Sequence, residues 1–309
     1  MPYLLSLLIG GASALLLGKL SELFAPRLGL VDRAGGQSRK IHEGARGIGG
    51  LALFGGFLLG AGPFLDWSKA AISLALGSTM VLALGLIDDR WGLGAKIRLL
   101  GQLFAALIPV AWGGLAVRSI ALGKWGLELG GWGIPLTAFW LVGVTNAINL
   151  LDGLDGLAAG CAAIISGALA LFAWRAANPA AIVLSLALLG GLLGFLRYNF
   201  YPARLFLGNE GAYFLGFLLG ILALEPFQPE FGPVNGLSPL APVLLLGLPL
   251  ADTAFAIVRR LRARRPIFAP DRGHIHHRLL ARWGYKPALW ISYGITLALS
   301  FLALASHWR

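Results

Sequence analysis

Runs of about 20 apolar residues, each closed by a short polar break, recur along the whole chain, and about that many are needed for a helix to cross the hydrocarbon core of a bilayer. Ten segments qualify: about 3–24, 48–65, 68–87, 97–117, 134–150, 156–174, 180–198, 204–223, 239–259 and 287–306. Several are rich in glycine, which suits close helix packing in lipid. Residues 118–133, with Lys124-Trp125-Gly126 between short alternating stretches, predict a small hairpin outside the bilayer. Residues 225–238 (EPFQPEFGPVNGLS) predict an irregular loop. There is no internal repeat and no sign of a second, soluble domain. Residues 1–309 are read as one all-α polytopic membrane domain.

Composition agrees. Hydrophobic residues make up 57% of the chain and charged residues 13%, against about 25% charged in an average soluble domain. One soluble core of this size would not hide so much apolar surface. The net charge of +11 would suit nucleic acid in a soluble protein, but here the basic residues sit in short loops between apolar runs, so no nucleic-acid partner is expected. The single cysteine, Cys161, lies in an apolar run and has no partner for a disulfide within the chain. The first residues lack a basic stretch and a cleavage site, so the first run is read as a retained helix.

Charge then sets the topology. Counted over alternate loops, one side carries Arg27, Arg33, Arg39, Lys40, Arg46, Arg90, Lys96, Arg98, Arg197, Arg204 and nine more between Arg259 and Lys286, and the other carries five: Lys69, Arg118, Lys124, Arg175 and Arg309. The positive-inside rule puts the richer side in the cytoplasm and both termini outside. The cytoplasmic loops are then about 25–47, 88–96, 149–156, 198–204 and 260–286. Ten of the 14 carboxylates and four of the five histidines fall on that same side. Asp88, Asp89, Asp152, Asp155 and Asp252 abut or interrupt apolar helices, where ionisable groups are costly, so their gathering marks a site.

Four strings carry the chemistry. Asp88-Asp89 closes the third span, at a helix C-terminus where the dipole disfavours carboxylates. A cation must compensate, with Arg90, Lys96 or a metal as candidates. Their side chains diverge by about 100°, so the two serve different purposes. In Asn146-Ala-Ile-Asn149-Leu-Leu-Asp152-Gly-Leu-Asp155-Gly156, Asn149, Asp152 and Asp155 recur every three residues and would share a face of a helix or tight turn. Such oxygen donors suit Mg²⁺ or a ribose and base, with Asp155 as a helix cap being the plainer alternative. The stretch Tyr198 to Gly211 leads into the eighth span, whose N-terminus offers an anion site beside Arg204. In Arg265 to Arg278, His274, His276 and His277 follow Asp271. With no cysteine near, they suit a diphosphate better than zinc. The loop 39–50 adds Lys40 and His42 as weaker anion partners.

Together these strings resemble the polyprenyl-phosphate N-acetylhexosamine-1-phosphate transferases, a glycosyltransferase family 4 type. The match rests on Arg39-Lys40-x-His42, Asp88-Asp89 with Lys96 and Gln102 downstream, Asn146 to Gly156, Asn199-x-x-Pro202-Ala203 through Gly208, and Pro270-Asp271-Arg272-x-His274-Ile275-His276-His277-Arg278-Leu279, in the family's order over about 25–285. The His-Ile-His-His-Arg-Leu form resembles the branch that primes O-antigen, enterobacterial common antigen or teichoic acid with GlcNAc-1-phosphate. The resemblance implies a multi-pass enzyme of the bacterial inner membrane with its site facing the cytoplasm. Its reaction would transfer GlcNAc-1-phosphate from UDP-GlcNAc to undecaprenyl phosphate, release UMP and require Mg²⁺, with Mn²⁺ as an alternative, and the enzyme could act as a homodimer.

By the same resemblance Asp88 would act as base or orient the lipid phosphate, with Asp89 in support. Both direct attack and an aspartyl-phosphate route remain open. Asp152, Asn199 and Phe206 would hold the uridine, with Phe206 near the base, and Asn149 would be a further substrate-binding residue. Asp155 would hold the loop. His274, His276 and His277 would contact the diphosphate and sugar, and Lys40, His42, Lys96 and Arg204 would be anion partners. The family pattern Gly-Asp-x-Gly-Ser, whose Asp binds Mg²⁺, reads Gly208-Asn209-Glu210-Gly211-Ala212 here. Asn209 would ligate the metal with Asp88, or Glu210 would shift in, or the chain would be an impaired relative that binds without turnover. A transporter or flippase is the rival class, but such proteins place charge near the midplane, often with repeats.

Overall fold

The computed structural model describes residues 1–24, 48–122, 125–224, 239–266 and 273–306. Lys40, His42, Asp271, the 225–238 loop and the tip of the hairpin lie outside these. The described residues form twelve α-helices: α1 (Pro2–Phe24), α2 (Gly49–Ala61), α3 (Lys69–Trp91), α4 (Ala95–Leu107), α5 (Gly133–Leu151), α6 (Leu157–Arg175), α7 (Pro179–Asn199), α8 (Gly208–Leu222), α9 (Leu240–Leu245), α10 (Gly247–Arg262), α11 (Ile275–Trp283) and α12 (Tyr285–Ser306). Two strands, β1 (Ser119–Leu122) and β2 (Trp125–Glu128), pair antiparallel as the expected hairpin, Ser119 opposite Glu128.

Among the described residues seven helices are long and apolar enough to cross a membrane: α1, α3, α4 with the turn that follows it, α5, α6, α7 and α12. The chain is an all-α membrane protein. Four of the ten expected spans differ from a plain crossing helix. The second and eighth are short, as α2 and α8. The ninth is broken at Leu246 into α9 and α10, because Pro249 has no N–H for the Leu245 carbonyl and its ring collides with that group. In the fourth, Pro109 likewise denies a bond to Ala105, and the helix widens into a π-turn over Ile108–Trp112. The last expected loop, about 260–286, contains α11, a nine-residue amphipathic helix.

Glycine sets how closely the helices meet. A Cβ at Gly190 of α7 would run into the Leu7 carbonyl of α1, and one at Gly194 into the Gly11 carbonyl. Without the hydrophobic driving force that water supplies, such contact is what joins helices in lipid. Two side chains reinforce the seam, Ser6 Oγ donating to the Val183 carbonyl at 2.9 Å and Tyr198 Oη to the Leu15 carbonyl at 2.9 Å. At the centre stands α8, buried from Glu210 to Leu222. An apolar surface on every side suits that place. It packs against α2, α3 and α5, with Phe214 edge-on to Phe54 at 5.0 Å. The C-terminal ends of α1, α3, α5 and α7 and the N-terminal ends of α2, α4, α6, α8 and α12 meet at one end of the bundle.

Candidate active site

The site begins where α3 stops. Gly92, at φ +64°, ends the helix in the left-handed conformation that favours glycine, and its N–H bonds the Asp88 carbonyl at 2.8 Å. Asp88 and Asp89 therefore lie within the last helical turns, facing different ways. Asp88 is buried and Asp89 exposed. Asp88 Oδ1 accepts from the Leu93 N–H at 2.8 Å, and Oδ2 accepts from the Tyr213 hydroxyl at 2.7 Å and faces Arg98 Nη1 at 3.5 Å. The compensating cation is thus Arg98 of α4, in place of Arg90 or Lys96; Lys96 is exposed on the first turn of that helix.

Asp89 turns to α8. Its Oδ2 accepts from the N–H groups of Asn209 at 2.8 Å and Glu210 at 3.3 Å. The helix N-terminus expected to receive a ligand's anion is capped by a carboxylate of the protein itself, a placement the helix dipole favours. Glycines of two neighbours hold this turn in place: a Cβ at Gly85 of α3 would run into the backbone of Glu210, and one at Gly50 of α2 into that of Gly211. Glu210 is fully buried beneath Gly208. Asn209 Oδ1 accepts from Asn149 Nδ2 at 2.8 Å, tying α8 to α5. One turn back, Asn146 Nδ2 donates to Gln102 Oε1 at 2.5 Å and ties α5 to α4.

The three-residue recurrence of Asn149, Asp152 and Asp155 does not become one shared face. The α5 helix stops at Leu151, Asp152 caps it, and Gly156, at φ +78°, turns the chain into α6. Asn149 faces α8, whereas Asp155 Oδ2 accepts from the Ala203 N–H at 3.0 Å. Nor is Asp155 a helix cap, since that position is Gly156. Asn199, expected at the nucleotide, is buried with both halves of its carboxamide on backbone: Oδ1 accepts from the Gly156 N–H at 3.1 Å and Nδ2 donates to the Leu205 carbonyl at 2.9 Å. It braces the turn against the 200–206 segment. Phe206 is buried beside Ala203, and its carbonyl accepts from the Gly49 N–H at 3.1 Å. Arg204 lies outside this core, 3.5 Å from Glu22 and over the Tyr198 ring at 5.1 Å.

The histidines arrive from the other side of the turn. The His276 ring lies directly against Gly153, where a Cβ would overlap Nε2. His274 stacks on it, centroids 5.6 Å apart and planes within 12°, and His277 is tilted against it at 4.3 Å. Burial, then the neighbouring His277, pushes the His276 imidazole down to about 4, outweighing the pull of Asp252, so the ring is neutral at pH 7. His274 Nδ1 is 2.8 Å from Asp252 Oδ2 of α10. Tyr285 and Tyr293 of α12 donate to the carbonyls of Asp155 at 3.1 Å and Gly156 at 2.6 Å, clamping the turn from outside. Arg98 and Tyr213 are additions to the site, and Asp252 gains a partner that its place in the site-marking carboxylates did not supply. Asp252 did stand out as a carboxylate interrupting an apolar run, but sequence names no partner for it. Tyr213 left no signal at all in its apolar segment.

The strings that bear the chemistry thus meet at one end: Asp88 and Asp89 against α8, Asn209 against Asn149, and the turn after α5 against His276. The family model described as glycosyl transferase family 4 matches residues 71–226, from α3 past the end of α8. The chain belongs to this family. A Bacillus subtilis protein named as a probable undecaprenyl-phosphate N-acetylglucosaminyl 1-phosphate transferase is 39% identical over 274 residues, 87% of this chain and 75% of that protein. The decaprenyl-phosphate N-acetylglucosaminephosphotransferase of Mycobacterium tuberculosis is 35% identical, covering 84% of this chain and 71% of its own. The undecaprenyl-phosphate alpha-N-acetylglucosaminyl 1-phosphate transferase of Escherichia coli K12 is 30% identical, covering 90% and 76%.

Proposed function

We propose that this family 4 member is a membrane enzyme that transfers GlcNAc-1-phosphate from UDP-GlcNAc to a polyprenyl phosphate, undecaprenyl phosphate in the first instance. The products are a lipid-diphosphate sugar and UMP, and the reaction opens the assembly of a cell-envelope polysaccharide. The site faces the cytoplasm of a bacterial inner membrane, where the nucleotide sugar is available. The observation that carries the reading is the seating of His276 on Gly153. It brings a histidine segment from beyond the family match to the Asn and Asp strings within it.

An oxygen of the lipid phosphate attacks the sugar-bearing phosphorus of UDP-GlcNAc, and the bond from that phosphorus to the oxygen of the UMP phosphate breaks. A phosphate monoester is largely doubly ionised at neutral pH, so the protein's work is to position it and neutralise charge. Asp88 takes the Tyr213 hydroxyl proton and faces the Arg98 guanidinium, whose remaining N–H groups are donors for the acceptor phosphate. The neutral His276, with His274 and His277, gathers about the diphosphate and sugar, and Asp152 and Asn149 stand on the nucleotide side.

Among the described residues no three His, Cys, Asp or Glu side chains converge as a metal-ligand set. The donors at this end are hard oxygens, which suit Mg²⁺, or Mn²⁺ in its stead, an ion that keeps most of its water and takes one or two protein oxygens with substrate phosphates. Asp89 and Asn209 would hold it, with Asp88 and Glu210 beside them. When bound, the cation neutralises charge on the diphosphate. The test is UMP release by the purified protein given UDP-GlcNAc, undecaprenyl phosphate and Mg²⁺. Release that needs both substrates is expected. Nucleotide binding without release would instead support the impaired relative, and a panel of UDP-sugars fixes the donor.

A further inference from the structure

A carboxylate and an imidazole meet beneath the histidine segment, and the steps above do not use the carboxylate. Asp252 lies in the second turn of α10 with 1% of its surface exposed. Its two oxygens take two partners on the far side of the 267–272 segment: Oδ2 is 2.8 Å from His274 Nδ1, and Oδ1 accepts from the Ile275 N–H at 2.7 Å. We propose that Asp252 is a positioning residue that locks His274 with its proton on Nδ1 and Nε2 free to accept from a hydroxyl of the sugar, and pins the start of α11 beneath it.

The chemistry of the pair carries this. A carboxylate only accepts hydrogen bonds, so the imidazole nitrogen facing it holds the proton, and Nε2 is the nitrogen left over. The bond to Ile275 fixes the carboxylate plane, so the ring cannot turn over without losing its bond to Oδ2. Orientation is passed on by packing: His274 stacks on His276, which rests on Gly153 of the turn after α5. A carboxylate buried in an apolar helix is costly, and the same anchoring of α11 would have been met by an uncharged side chain. What the carboxylate adds is the choice of nitrogen.

This inference rests on the transfer reading, and its test separates the two. Asp252→Asn keeps the shape. The Ile275 N–H claims the amide oxygen, the amide nitrogen then faces His274 Nδ1, and the ring proton must move to Nε2. Nitrogen-15 NMR of the full chain in detergent, with His274→Gln used to assign the signal, is expected to find Nδ1 protonated in the parent and unprotonated in Asp252→Asn. UMP release is expected to lose about tenfold or more in kcat, with KM for UDP-GlcNAc unchanged. In the His274→Gln background, Asp252→Asn is expected to cost nothing further. An unchanged tautomer, or an equal loss in both backgrounds, would overturn the inference and leave Asp252 as an anchor of α11. A parent that releases no UMP counts against the transfer reading, while the NMR comparison still decides the role of Asp252.

Discussion

Asn199 bonds backbone on two sides of the site, and its removal is expected to be felt in the fold before the chemistry. Asn199→Ala strands the Gly156 N–H and the Leu205 carbonyl inside the protein, at about 1–3 kcal/mol for each group left unpaired. The thermal midpoint in detergent is expected to fall together with activity; a variant as stable as the parent would contradict the bracing role. Asn209→Asp differs, because Asp keeps the acceptor for Asn149 Nδ2 and adds charge at a helix start. It is expected to raise turnover at limiting Mg²⁺, and titration of rate against Mg²⁺ with no gain in rate or affinity would tell against cation binding there.

His276 yields a pH prediction. Its value falls from the ordinary 6.5 to about 4, and its Nδ1 has no hydrogen-bond partner among the described residues. Between these values the unfolded chain binds more protons than the folded one, so stability rises with pH across that window and is lost on acidification from 6.5 toward 4. The drop in thermal midpoint between pH 7.5 and pH 5 is expected to be larger for the parent than for His276→Gln. Equal drops would place the ring in water. None of this was legible in the sequence, which shows a histidine cluster but neither the depth of each ring nor the glycine beneath it.

At the scale of elements, the site depends on glycines that let backbone come close. Gly153 has no positive φ, so Gly153→Ala acts through the His276 ring alone. It is expected to abolish most of the transfer while leaving helix content, read by circular dichroism, intact. Gly190→Leu would separate α1 from α7 and is expected to lower the yield of folded protein, with no special effect on chemistry in what remains. Apolar run length and the hairpin's alternation made most elements legible. Helix breaks were less so. Pro109 and Pro249 each stand between apolar neighbours, so hydropathy does not mark the break, and α5 ends before the Asn149, Asp152 and Asp155 periodicity does. That local ending sends Asn149 to α8 and Asp155 to Ala203.

Across the whole molecule, the alternation of helices brings distant strings to one end, as charge counting implied. Loop charge carries that information because it follows from which ends of the helices adjoin. Which cation meets which carboxylate depends on packing, so Arg98 rather than Arg90 or Lys96 faces Asp88. The central claim is that this end of the bundle binds the nucleotide sugar, and an experimental structure of the protein with UDP-GlcNAc and Mg²⁺ tests it most directly. The diphosphate is expected between the start of α8, with Asp89 and Asn209, and the rings of His274 and His276, with the uridine toward Asp152. A nucleotide found elsewhere on the protein, with these residues bare, would contradict the account.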